Sequence, residues 1–208
     1  MKITKPKINY THDINFIEVT DYDEYSNCRF TENIEEDITI SNITFDSCIF
    51  ENIDFSNIEL NNVDLVDVIF KGCNLSNKVF DNKLLGRVEF KDCKMLGTSF
   101  ISSSLKDILF DNCITKYLNF SNAKMNNILF KDSDLSESNF IEVEIKNIEF
   151  DTVNLDSSEF FKTKLNGVDL SSCEISNIKF DMISLKGIII DRFQSQNLIG
   201  MLGVKIKD

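Results

Sequence analysis

Chemistry in this 208-residue chain would have to come from one histidine, six cysteines or the 34 carboxylates. A histidine acts as a general base only beside a Ser, Cys or carboxylate with which it can exchange a proton. His12 lies in an N-terminal segment with no such constellation evident around it. The cysteines are Cys28, Cys48, Cys73, Cys93, Cys113 and Cys173, with no CxxC among them. Zinc needs four converging ligands, which this spacing does not supply. Gly72, Gly86, Gly97, Gly167 and Gly187 are isolated, so no glycine-rich phosphate loop exists. The expectation is a protein without catalysis, metal or cofactor.

The elements that would position these residues follow from a five-residue period. Every residue numbered as a multiple of five from Phe30 to Ile190 is Phe, Leu, Ile or Met, except Glu35 and Thr115. Two places earlier sits a smaller or β-branched residue, as in Cys48, Ile53, Ile58, Val63 and Val68. Two places later Asn recurs, as in Asn52, Asn57, Asn62, Asn77 and Asn82. A period of five fits neither helix nor continuous strand.

An extended segment turns residues i and i−2 to one side. A corner must then rotate the chain, and Asn or Ser tolerates the left-handed backbone that such a corner uses. Four units close a square of 20 residues, and squares stack as parallel strands about 4.8 Å apart. Eight coils make a rod roughly 39 Å long. Phe fills 13 of the 17 multiples of ten, so stacked rings line two opposite sides and smaller residues the other two. The cysteines all fall at the small inward position, many of them 20 residues apart, and read as reduced core thiols; parallel side-chain vectors suit a disulfide poorly.

Cys73-Asn74-Leu75-Ser76-Asn77, Ser133-Asp134-Leu135-Ser136-Glu137 and Val168-Asp169-Leu170-Ser171-Ser172 resemble the A(D/N)LXX unit of the pentapeptide repeat family. That resemblance implies an all-β fold, a right-handed quadrilateral β-helix. The division expected is an irregular N-terminal cap at 1–27, the β-helix at 28–190 and a helix-strand ending at 191–208. In the ending, Asp191 is placed to cap a short helix and Gly203 to end it, with Val204–Ile206 a strand. Phe193, Leu198, Ile199, Leu202, Val204 and Ile206 make this ending more apolar than a lid needs, and self-association would bury the excess.

The ending also resembles that of the Qnr quinolone-resistance branch, which dimerises tail to tail. The branch implies binding to DNA gyrase or topoisomerase IV as a mimic of DNA, and protection from fluoroquinolones. Net charge is −12, with residues 1–60 at −9, 61–131 at +3, 132–181 at −8 and 182–208 at +2. That acidity argues against direct binding of nucleic acid. Asp132, Asp134, Glu137, Glu142, Glu144, Glu149, Asp151, Asp156 and Glu159 are the outward acids expected to carry the mimicry. The alternatives are an acidic surface that only keeps the rod soluble, and a repeat scaffold for a different protein. Ile49, Ile69, Leu109 and Leu129 share one face and form a second candidate contact stripe. Many members of the branch carry loops that interrupt the rod. The phase here is unbroken, and inward Lys78 and Lys83 mark 78–87 as the place where a phase-preserving bulge could sit. No apolar run reaches 18 residues and no apolar leader follows the first charges, so a cytoplasmic protein that enters no membrane is expected.

Overall fold

Residues 1–201 are described by the structure, a computed structural model. Most residues two places after a large inward one adopt left-handed backbone, among them Asn52 and Asn62 (φ 57° and 58°), Asn82 (φ 59°) and Asn122 (φ 60°), whereas Asn57 ends a 3-10 turn instead. Each left-handed residue is a corner. Short side chains that bond locally tolerate this conformation best, which explains the recurring Asn. Gly72 stands at such a corner with φ 65°, and a Cβ there would come 2.4 Å from Asn52 Oδ1 one coil away.

Between corners the chain is extended, and each coil pairs with the next in parallel, 20 residues on. Leu65 pairs with Leu85, Leu85 with Leu105, and Leu105 with Met125. Two adjacent sides are continuous strand: Leu84–Lys91, Ser104–Asp111, Lys124–Lys131 and Glu144–Asp151. The other two sides hold single bridges such as Asn74 to Lys94 and Ser99 to Asn119. The result is a four-sided parallel β-solenoid of about eight turns.

The interior is two columns of phenylalanine. Phe30, Phe50, Phe70, Phe90, Phe110, Phe130 and Phe150 stack face to face, with 4.7–5.4 Å between successive ring centroids. Phe80, Phe100, Phe120, Phe140 and Phe160 form the second column at 4.6–5.4 Å. Rings of one column meet those of the other edge-on, Phe110 and Phe120 at 79° for example. The small inward residues close the corners. Thr98, Ser103 and Ser158 each donate to a carbonyl 23 residues earlier, at 2.8, 2.5 and 2.8 Å. Cys73, Cys93 and Cys113 make the same contact through sulfur at 3.4, 3.6 and 3.3 Å. All six cysteines are free and buried, and burial pushes the Cys48 thiol up to about 12. Thr115, one of the two exceptions to the large inward rule, is fully buried and donates to Asp134 O at 2.7 Å. Glu35, the other, is exposed in the irregular stretch before Ile38.

The ends depart from the period. The 20-residue register already holds at Glu24–Ser26, paired with Thr44–Asp46. His12–Asp13 pair with Cys28–Arg29 only sixteen residues on, and Phe16 extends the first aromatic column by stacking on Phe30 at 4.7 Å. Near the other end a single helical turn, α1 (Met182–Leu185), replaces a corner because Asp181 accepts from the N–H groups of Ile183 and Ser184. Asp191 likewise caps α2 (Gln194–Met201), accepting from Phe193 and Gln194 N–H at 2.7 Å each. Gln194 is buried and donates to Leu170 O and Cys173 O, which ties the helix to the last coil. Gly203 and the strand expected at Val204–Ile206 lie outside the described residues.

Lys78 and Lys83 sit half-buried in a coil that continues without an inserted loop: Val79 bridges Ser99 and Leu84 pairs with Ser104. Desolvation holds the Lys78 ammonium below the usual lysine range. The register shift lies elsewhere, between Ile145 and Ile148. Among the described residues no helix is long and apolar enough to cross a membrane.

Candidate functional site

The twenty-residue register sorts every outward side chain onto one of four sides, so surface chemistry can be followed in columns. The acidic side chain just before an inward residue is first of all structural. Asp134 accepts from Ser136 N–H at 3.0 Å across its corner and from Asn154 Nδ2 at 3.0 Å in the next coil. Asp54 and Asp169 bond the same way to Ser56 and Ser171 N–H, and these hydrogen bonds, led by the Ser56 and Ser171 hydroxyls, hold both carboxyls below the usual range.

Of the nine acids expected from the sequence, six lie on the two adjacent sides centred on the 110- and 115-type inward residues. They are Asp132, Asp134, Glu137, Glu149, Asp151 and Asp156, and none is buried. Asp169 and Glu174 continue the same two sides and are exposed; the sequence reading passed over them although each occupies the acidic slot of its unit. The remaining three, Glu142, Glu144 and Glu159, lie on the other two sides. Lys162 neutralises Glu142 at 2.5 Å, Lys124 approaches Glu144 at 3.9 Å, and Lys179 bonds Glu159 at 2.6 Å. On the acidic sides Lys131 reaches Asp132 at 3.4 Å, Lys116 reaches Glu137 at 2.9 Å, and the Met1 amino group pairs with Glu149. Asp134, Asp151, Asp156, Asp169 and Glu174 have no ion-pair partner among the described residues.

The stripe of Ile49, Ile69, Leu109 and Leu129 is not an open surface; all four are half-buried. The chain's own first ten residues run along the rod beside it. Met1 pairs with Glu149, Thr4 N–H donates to Asp107 Oδ1 at 3.1 Å, and Lys7 N–H to Asp67 Oδ1 at 2.8 Å. Farther along, Arg29 sits over the Tyr10 ring at 5.0 Å. Three extended residues span about 10 Å and so do two coils, which lets anchors three apart in the strap meet residues about forty apart in the rod. Asp67 and Asp107 are 5% and 4% exposed although they point outward, because the strap covers them. Arg87 also clasps Asp67 through Nε and Nη2, 2.5 Å each. Burial opposes ionisation of Asp67, but Arg87 and the Lys7 N–H outweigh it and keep the carboxyl below its usual range.

The family models for "Pentapeptide repeat region" and "Pentapeptide repeats (8 copies)" match residues 63–140 and 40–77. Residues 40–140 are pentapeptide repeats. Among solved structures, the solenoid is similar to full-length QnrB1, a plasmid-mediated fluoroquinolone resistance protein, at 21% identity and TM-score 0.45, covering 93% of this chain and 95% of that one. It is also similar to HetL, a pentapeptide repeat protein involved in heterocyst differentiation regulation in the cyanobacterium Nostoc, at 14% identity and TM-score 0.34, covering 82% and 90%. A thylakoid-lumen pentapeptide repeat protein of Arabidopsis thaliana is 22% identical, with 48% and 66% covered and TM-score 0.34. No curated protein sequence gives a match.

The C-terminal apolar residues expected at an interface divide. Leu198 is buried against the core, Ile199 is half-buried and Phe193 is 80% exposed. Leu202, Val204 and Ile206 lie outside the described residues. Sequence reasoning missed Met182 and Ile183 on α1, and Ile189, which are 70, 55 and 49% exposed at the same end. They occupy non-consensus outward slots, and an Ile or Met in such a slot is the signal that could have found them.

Proposed function

We propose that this protein is a non-enzymatic mimic of duplex DNA that binds DNA gyrase or topoisomerase IV in the bacterial cytoplasm and protects it from fluoroquinolones. One observation carries the reading. Asp132, Asp134, Glu137, Glu149, Asp151, Asp156, Asp169 and Glu174 occupy two adjacent sides within little more than two coils, with no lysine or arginine on those sides between Asp132 and Asn177. Two coils rise about 10 Å, so the five of these acids that lack an ion-pair partner among the described residues, Asp134, Asp151, Asp156, Asp169 and Glu174, present a charge every ~2 Å. Duplex DNA presents one every ~1.7 Å along its axis. A groove built to neutralise phosphate would accept such a rod, and would do so more weakly as salt rises.

The same two sides carry a second acidic group at the far end, Glu32, Glu36, Asp37, Glu51 and Asp54, beyond a belt containing Lys71, Lys91, Lys94 and Lys116. Exposed Met182, Ile183, Ile189 and Phe193 support a dimer joined through the C-terminal ends. Two rods of ~39 Å would then span roughly 80 Å, with the denser acidic groups flanking the centre. A supercoiling assay with purified gyrase, with and without ciprofloxacin, tests the reading. Inhibition at high protein and restored supercoiling in the presence of drug are expected. Neither effect at any ratio would leave a scaffold for another partner as the better account.

A further inference from the structure

One side of the rod contradicts its overall charge. From residue 100 to the end of the solenoid, every lysine on the other three sides is ion-paired: Lys116 with Glu137, Lys131 with Asp111 and Asp132, Lys162 with Glu142, and Lys179 with Glu159. The fourth side carries Lys106, Lys124, Lys146, Lys164 and Lys186, one in each successive coil and all exposed. Only Lys124 has an acidic neighbour, Glu144, at 3.9 Å; the other four have no ion-pair partner among the described residues. Asp107, on the corner of this side, is buried beneath the strap at Thr4 and makes no direct contact with anything bound outside.

The lysines alternate between the slot after and the slot before the inward residue, so their ammonium groups form a zigzag four coil steps long, about 19 Å. A shallow groove of ≈310 Å³ lined by Lys106, Lys124, Met125, Glu144, Ile145 and Lys146 runs through the middle of the zigzag. At its centre the ladder slips: Ile145 pairs with Met125, but Asn147 pairs with Asn126. The slip leaves Ile145 half-buried, whereas Met125 and Leu165, its counterparts one coil away, are closed off. A partly open apolar side chain is therefore framed by Lys146 and Lys164, which have no ion-pair partner among the described residues, and by the loose Lys124–Glu144 pair.

We propose that this side is a docking surface for an extended acidic polypeptide segment of about six residues carrying one bulky apolar side chain that rests on Ile145. Six residues in extended conformation cover about 20 Å, the length of the lysine row. The carboxylates meet the lysines, and the apolar residue removes Ile145 from water. A single extended chain fits the narrow row. A duplex would overhang it and bring phosphates against Glu149 and Asp151 on one flank and Glu142 on the other. This inference is independent of the topoisomerase reading.

The test is fluorescence anisotropy with the full chain and a labelled octapeptide of glutamates with one central leucine. A glutamine version of the peptide, an eight-nucleotide single strand and a short duplex serve as competitors. Saturable binding of the acidic peptide that falls with added salt, and weakens ~10-fold in Lys146→Gln/Lys164→Gln, is the expected result. Both lysines are exposed, so the variant should melt with the wild type, and its melting curve checks this. Undetectable binding at low salt, equal binding by the melt-matched variant, or stronger competition by either nucleic acid would overturn the proposal.

Discussion

Asp67 shows how one side chain joins sequence to stability here. It points outward yet is buried, held by Arg87 and by the Lys7 N–H, and its carboxyl is depressed below the usual carboxylate value. A depressed carboxyl stabilises the fold fully above its unfolded pKa of about 3.9 and loses that contribution as pH falls through the lower folded value. Asp67→Asn should therefore cost about 2 kcal/mol at pH 7 in urea unfolding, and the deficit should shrink below about pH 4. The inward positions obey a different rule. Phe110→Ala opens a void in a stacked column and should cost about 3–5 kcal/mol. Cys93→Ser should stay within about 1 kcal/mol of wild type, since Ser103 makes the same contact to a carbonyl 23 residues back. Equal losses for the two, compared by thermal melting, would contradict the packing account.

At the scale of elements, the coil was legible because its signal is local and repeated: large inward residue, small partner, turn-forming corner. The strap was not. Residues 1–10 have no period of their own, and their partners lie 60 and 103 residues away at Asp67 and Asp107, and 148 away at Glu149. Four residues of α1 are equally too few for any pattern, and only Asp181 announces it. The stripe of Ile49, Ile69, Leu109 and Leu129 could be read from spacing, but its occupant could not. A chain lacking residues 1–10 should lose about 1–3 kcal/mol, because three bonds to carboxylates go while the strap regains its conformational entropy. It should also bind a hydrophobic dye through the uncovered stripe. An unchanged midpoint without dye binding would mean that the strap contributes nothing.

Across the whole molecule, the net charge of −12 conceals an arrangement in two directions. Banding along the axis could be counted from the sequence. Segregation by side also lay in the numbering, because residues 20 apart stack, but it became plain only once ion pairs distinguished Asp151 and Glu174 from the neutralised Glu142 and Glu159. The C-terminal end adds the expectation of a dimer. Phe193→Glu should halve the mass found by sedimentation equilibrium, and a wild-type chain that sediments as a monomer would remove the tail-to-tail arrangement. The central claim is that gyrase recognises the unpaired acids on the two adjacent sides. Its most direct test is the affinity of gyrase for the wild-type rod and for Asp134→Asn/Asp151→Asn/Asp156→Asn/Glu174→Gln, measured with duplex DNA as competitor. The account predicts binding that duplex DNA displaces and that the fourfold variant weakens at least ~10-fold while keeping its fold. Binding that is indifferent to both DNA and the four substitutions, or no binding at all, would contradict it.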